Sequence, residues 1–172
     1  LLDQGQMDRA AEWLDKLEAK APGNLDVVAL RARWLAARGD AAKIEALVEP
    51  VAQRAIAALD NDRPQQNRVA LALGELYSSV GLHAAAERWF KIVAERVEHG
   101  YQPLATCLAK QGKSSDALRL CLDAAKSDAS FRPAMAAAAV LLAGKPGKDD
   151  YDLAEPLLAQ AIERHKDDAA IL

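Results

Sequence analysis

The run Gly144-Lys-Pro-Gly-Lys148 holds the residue types closest to a chemical site, a loop that cradles phosphate. Such a loop needs a Ser or Thr after its lysine to hold the metal, and a strand leading into it. Here Asp149 follows Lys148, the glycine spacing is wrong, and no strand pattern precedes Gly144. The run therefore reads as a solvated turn between helices. Asp149, Asp150 and Asp152 gather carboxylates as a cation site would, but they lack the turn glycine and distal Glu of a calcium loop. Ahead of a helix from about residue 152 they read as an acidic cap, favoured by the positive end of the helix dipole.

His83, His99 and His165 stand in no ligand spacing with one another or with a cysteine, so no metal centre is expected. Cys107 and Cys121 fall on opposite helices of one helical pair. Buried free thiols are the first reading, with a disulfide or redox pair as the alternative. No Ser-His-Asp or Cys-His set can be nominated from residue order. Trp13 and Trp89 occupy matching positions, which favours packing against an adjacent unit over ligand stacking. The sequence thus assigns no catalytic residue and no cofactor, and the chain is not expected to be an enzyme.

Composition points the same way. With 22 basic against 25 acidic residues the net charge is −3, which leaves no cationic footprint for nucleic acid. Lys145 and Lys148 are answered at once by Asp149 and Asp150. No stretch pairs a basic face with an apolar one, and neither a membrane span nor a signal peptide is present, so no membrane insertion is expected of this segment. The cellular compartment stays open. The chain is 51% hydrophobic with only 5% aromatics, and its apolar material is mostly Ala and Leu, the strongest helix formers. Nothing alternates with period two for long enough to make a strand.

The elements that must position any site are set by a repeat. Gly5, Gly39, Gly81, Gly112 and Gly144 recur at intervals of 34, 42, 31 and 32 residues. Seven residues before the last four stands a small residue: Ala32, Gly74, Ala105 and Ala137. Five residues after the first four come Ala10, Ile44, Ala86 and Ala117, and nine after come Leu14, Val48, Phe90 and Cys121. Offsets that differ by three and four are helical spacings. Each unit reads as a helix A, a turn at the glycine in a positive-φ conformation, and a helix B. The small column lets the two helices approach closely, and the larger columns fill the space between them.

These columns resemble the tetratricopeptide repeat family. The copy Leu73-Gly74, Tyr77, Gly81, Ala86, Phe90 and Val93 follows its pattern nearly throughout, and the copy at Gly5, Ala10 and Leu14 closes with Pro22 at the family's spacing. Other copies depart from it: Arg31 stands where a Leu is usual, Ile44 replaces a small residue and Cys121 an aromatic. The resemblance covers the whole chain in about five units. It implies an all-α fold, a right-handed α-solenoid of antiparallel helix pairs, forming one array over residues 1–172.

The punctuation predicts helices over 7–20, 25–38, 41–60, 64–80, 83–98, 101–111, 114–127, 131–143 and 151–166. Pro64, Pro103 and Pro133 fall near helix starts, where a missing N–H costs little. Pro50 falls deep inside one and predicts a bend or break near 46–50. Leu1 already stands at the last turn of a helix A, and Asp167-Asp168-Ala169-Ala170-Ile171-Leu172 looks like the opening of another. Arrays need polar end units, so this chain is expected to be a fragment of a longer array.

The function expected is that of a protein–protein interaction scaffold, of a bacterial kind by its alanine-rich style. In the resembled family successive helices A line a concave groove that holds a peptide. By column, the groove residues here are Asp26, Arg33, Arg68, Glu75, Gln102, Thr106 and Phe131, with Ala29, Leu71, His99, Ala134 and Ala138 in the same exposed rows. The rows grade from mixed charge to apolar at Phe131, Ala134 and Ala138. Those apolar residues equally suit contact with a following unit. The carboxylate-clamping Lys, Asn and Arg set of chaperone-binding members is missing. The partner is a protein or peptide segment whose identity the sequence leaves open. The alternative is a docking arm of a larger enzyme whose catalytic domain lies outside this segment.

Overall fold

The computed structural model describes residues 6–59 and 61–164. Among them every regular element is an α-helix: α1 (Met7–Lys20), α2 (Leu25–Ala37), α3 (Ala41–Ala58), α4 (Arg63–Ser79), α5 (His83–Arg96), α6 (Tyr101–Lys110), α7 (Ser114–Ala125), α8 (Arg132–Ala143) and α9 (Lys148–Arg164). The chain is all-α, and its helices start within a residue of the expected places except α9, which starts at Lys148 rather than 151, so Asp149, Asp150 and Asp152 lie within it rather than ahead of it. Asn24 Oδ1 caps α2 by accepting from the N–H groups of Asp26 and Val27, and Asp62 caps α4 by accepting from Gln65. Gly5, His165 and the segment Asp167–Leu172 lie outside the described residues.

Three helix ends show what the glycine period is for. Gly39, Gly81 and Gly112 have φ of +77°, +80° and +78°. Each glycine N–H donates to the carbonyl three residues back. The next N–H donates to the carbonyl five back, as Asp40 to Leu35, Leu82 to Tyr77 and Lys113 to Leu108. This pair of bonds is the Schellman stop, which satisfies the last free carbonyls of the helix. A Cβ on any of the three would meet nothing within 4 Å, so the backbone angle alone demands glycine. Gly144 corrects that expectation. Its φ is −95°, open to any residue, but a Cβ there would lie 2.7 Å from Ser114 Oγ and 3.2 Å from the Ala109 carbonyl. It is small because the end of α8 passes close to the turn between α6 and α7.

Pro50 brings no break at 46–50, which corrects that part of its expectation. The helix α3 runs unbroken from Ala41 to Ala58 with Pro50 inside it. The carbonyl that Pro50 cannot serve belongs to Ala46, and both residues are exposed, where an unserved carbonyl costs less than in a core. Pro156 sits in α9 under the same conditions, exposed and four residues beyond exposed Asp152.

The described chain divides into two compact units, one up to Ala85 and one from Ala86 onward. In the first, α1 packs on α2, α2 on α3, and α3 more sparingly on α4. Its core is built from Leu14, Val28, Ala32, Ile44, Val48, Ala52, Leu73 and Tyr77. In the second, α6 and α7 pair, α8 lies against both, and α9 lies against α7 and α8. Its core is rich in alanine: Ala105, Ala109, Ala117, Ala136, Ala137 and Ala154 surround Leu118, Cys121 and Val140. The small column is buried throughout, with Ala32, Ala105 and Ala137 fully inaccessible and Gly74 buried in α4. Trp13 departs from its match: Trp89 is buried, whereas Trp13 is 51% exposed beneath the Lys16 ammonium.

Candidate functional site

The groove residues expected from the sequence divide between the units. On the first, Asp26 and Arg33 lie two turns apart on α2, and Arg68 and Glu75 two turns apart on α4. All four are exposed. Arg68 Nη1 donates to Gln65 Oε1 at 3.4 Å, a contact along its own helix. The second unit carries the other three. Gln102 and Thr106 are half-buried one turn apart on α6, and Thr106 Oγ1 donates back to the Gln102 carbonyl at 3.2 Å. That bond spends the hydroxyl along its own helix.

Phe131 stands at the N-cap of α8, and here the structure adds what the rows did not contain. A shallow apolar groove of about 100 Å³ runs between α8 and α9, with Phe131, Met135 and Ala138 on one side and Leu158, Ala161 and Ile162 on the other. Met135 is 55% exposed and Ile162 59%. Leu142, one turn beyond Ala138, is 88% exposed and extends the apolar stripe along α8. Large apolar side chains are thus concentrated on one face of α8 and α9 rather than scattered singly. Ala134, expected among the exposed row, lines the same groove but is buried there. The missed residues had a signal: Phe131, Met135, Ala138 and Leu142 follow one another at helical spacing.

The same unit holds an open cleft of about 380 Å³ lined by Glu98, His99, Tyr101, Ser127 and Asp128. Burial first and the Asp128 charge second push the Tyr101 phenol above its ordinary range. Asp128 is held below the usual carboxylate range, chiefly by its hydrogen bonding with Ser130. Further along the unit, Glu87 on α5 takes Lys113 Nζ at 2.8 Å, Lys91 Nζ at 2.7 Å and Gln111 Nε2 at 3.0 Å. The Lys113 and Lys91 bonds bring its pKa down to about 2. At the opposite edge Asp150 accepts from Ser115 Oγ at 2.6 Å and from the Gly147 N–H at 2.9 Å, and both lower its pKa. Asp149 and Asp150 therefore sit in the first turn of α9, with Asp150 buried and tying that turn to the start of α7.

These groups are joints between helices, with partners already in place. Cys107 and Cys121 are free and buried, and burial pushes the Cys121 thiol up to about 12, which keeps it protonated and unreactive at neutral pH. Among the described residues no cluster of His, Cys, Asp and Glu could hold a metal ion, and no helix is long and apolar enough to cross a membrane. Comparison with family models, curated proteins and solved structures finds no match.

Proposed function

We propose that this chain is a protein–protein interaction scaffold of the tetratricopeptide-like kind, a right-handed solenoid of antiparallel helix pairs that holds a protein or peptide segment. Three features support the architecture. The same Schellman stop recurs at Gly39, Gly81 and Gly112, the small column is buried, and in the second unit each added helix covers two that precede it. The observation that carries the function is the solvent-facing apolar groove between α8 and α9. Each unit has its own recognition chemistry in this reading. Asp26, Arg33, Arg68 and Glu75 offer mixed charge on the first, and Gln102, Thr106 and Phe131 lead into the apolar groove on the second. The partner segment carries acidic and basic positions and an apolar anchor for Phe131.

Affinity capture from the source cell tests this, comparing the native chain with Arg33→Ala, Phe131→Ala and a control, Glu95→Ala on the exposed face of α5. Loss of the same captured protein with Phe131→Ala, by about tenfold for an anchor worth 1.4 kcal/mol, is the expected result. Capture that survives both groove changes and disappears with Glu95→Ala would move the working surface to α5.

A further inference from the structure

We infer that His99 is a positioning residue for the binding surface of the second unit, where it clasps Asp128 and Arg132 and so presents Phe131 to the α8–α9 groove. The inference rests on the reading of that groove as a binding surface. Among the described residues His99 is the only non-glycine with positive φ, at 60°. That region is strained for a residue bearing a Cβ, and such strain persists only where surrounding contacts hold it. The contacts here come from Asp128 in the loop between α7 and α8 and from Arg132, the first residue of α8. Nδ1 lies 3.1 Å from Asp128 Oδ2, within ion-pair distance but without a hydrogen bond, and Nε2 lies 2.6 Å from Arg132 Nη1.

The same loop is laced from within. Asp128 Oδ1 accepts from the Ser130 N–H at 2.9 Å, and Ser130 Oγ accepts from the Arg132 N–H at 3.3 Å. Phe131 lies between the residues so tied and forms the N-cap of α8 with no side-chain cap bond of its own. His99 touches Asp128 before it and Arg132 after it. A guanidinium can only donate, so Nε2 must accept from Arg132 and the ring proton must sit on Nδ1, facing the Asp128 carboxylate. The other groups around the ring leave this unchanged. Glu98 Oε1 is 3.5 Å from Nε2 and mostly in solvent, and Tyr101 meets the ring edge-on at a 6.4 Å centroid distance. The position thus requires a donor on one side, an acceptor on the other and tolerance of a left-handed backbone. Asparagine meets all three requirements; alanine and glycine do not.

The test uses the full chain labelled with fluorophenylalanine. It has two phenylalanines, so Phe131 reports on the loop while buried Phe90 reports on the fold. Nitrogen-15 NMR of the ring is expected to show His99 protonated on Nδ1 alone. His99→Ala and His99→Gly are expected to shift and broaden the Phe131 fluorine signal, His99→Asn to restore it, and Phe90 to stay put in all three. Glycine removes the backbone strain, so a displaced Phe131 signal in His99→Gly isolates the clasp. A ring protonated on Nε2, or a Phe131 signal unmoved in His99→Ala, overturns the inference. Joint movement of Phe90 and Phe131 in both His99→Ala and His99→Gly would also overturn it, by making the role merely structural. These readouts need no partner: failure of affinity capture with the clasp intact would sink the binding reading alone.

Discussion

The two units hold their helices together by different means. In the first, the seam between α1 and α2 is closed at its edge by Arg31. Its Nε donates to Glu18 Oε1 at 2.8 Å, its Nη2 reaches Asp15, and its guanidinium lies 5.2 Å from the centre of the Trp34 ring. Arg38 also lies over that ring, at 4.8 Å, and Trp34 Nε1 donates to the Met7 carbonyl. The core behind this edge relies on branched residues: Val27, Val28, Ile44, Val48 and Val51. The second unit instead puts alanine at the centre, so α8 reaches both α6 and α7, and α9 both α7 and α8. Interaxial distance follows the side chains at the contact, and small ones let one helix touch two others. Bulkier contacts leave a seam whose rim polar groups must close.

The comparison breaks most readily at the two cores. Leu118 is fully buried at the centre of the second unit, and Leu118→Ala should cost about 2–5 kcal/mol by denaturant unfolding. Leu35→Ala in the first unit should fall at the low end of that range, since α2 is covered on fewer sides. Equal losses would mean that the interlocking of the second unit adds nothing.

Glycine substitutions separate space from backbone angle. Gly144→Ala forces a Cβ against Ser114 Oγ and should cost about 1–3 kcal/mol. Gly39→Ala meets no atom and should cost only the left-handed penalty of about 1–2 kcal/mol. Melting temperatures of the double variants with Ser114→Gly sharpen the contrast: that change should rescue Gly144→Ala and leave Gly39→Ala unaffected.

Smaller effects belong to the edges. Arg31→Ala should lose about 1 kcal/mol, because Asp15 and Glu18 keep much of their solvent exposure, and the loss should shrink in high salt. Arg31→Lys should recover only part of it, since an ammonium lacks the fork that spans two carboxylates.

The smallest effect expected is the pH dependence of Glu87. Its folded pKa is about 2 against an ordinary 4.5, so its contribution is complete above pH 4.5 and disappears as pH falls through about 2. Lys91 and Lys113 are themselves about half exposed, so solvent screening limits the effect to below about 1 kcal/mol. Acid unfolding of Glu87→Gln should lack that part of the slope. An unchanged slope would show that the contacts joining Glu87 on α5 to Lys113 and Gln111 beside the α6–α7 turn do not bear on stability.

Much of the candidate site was legible as position and little of it as geometry. Asp26, Arg33, Arg68 and Glu75 are exposed where helical phase put them, because phase depends only on neighbours within two turns. Ala134 shares the helical phase of Phe131 and Ala138 and lines the same groove, but its burial depends on what packs against α8, which spacing along α8 does not record. His99 gave no local sign of its role: its partners are Asp128 on the loop between α7 and α8 and Arg132 at the start of α8, 33 residues away.

The sequence alone determined where the helices start and stop, which residues make the small buried column, and the absence of strand periodicity. Each of these follows from interactions along one or two turns, such as the left-handed stop at a glycine or the cap at Asn24. Only the tertiary structure decided why Gly144 is small, why α3 passes through Pro50, why Trp89 is buried and Trp13 is not, and how Phe131 is held. Those outcomes depend on what a distant helix or the solvent brings to the same place. Residue spacing along one helix carries no record of it.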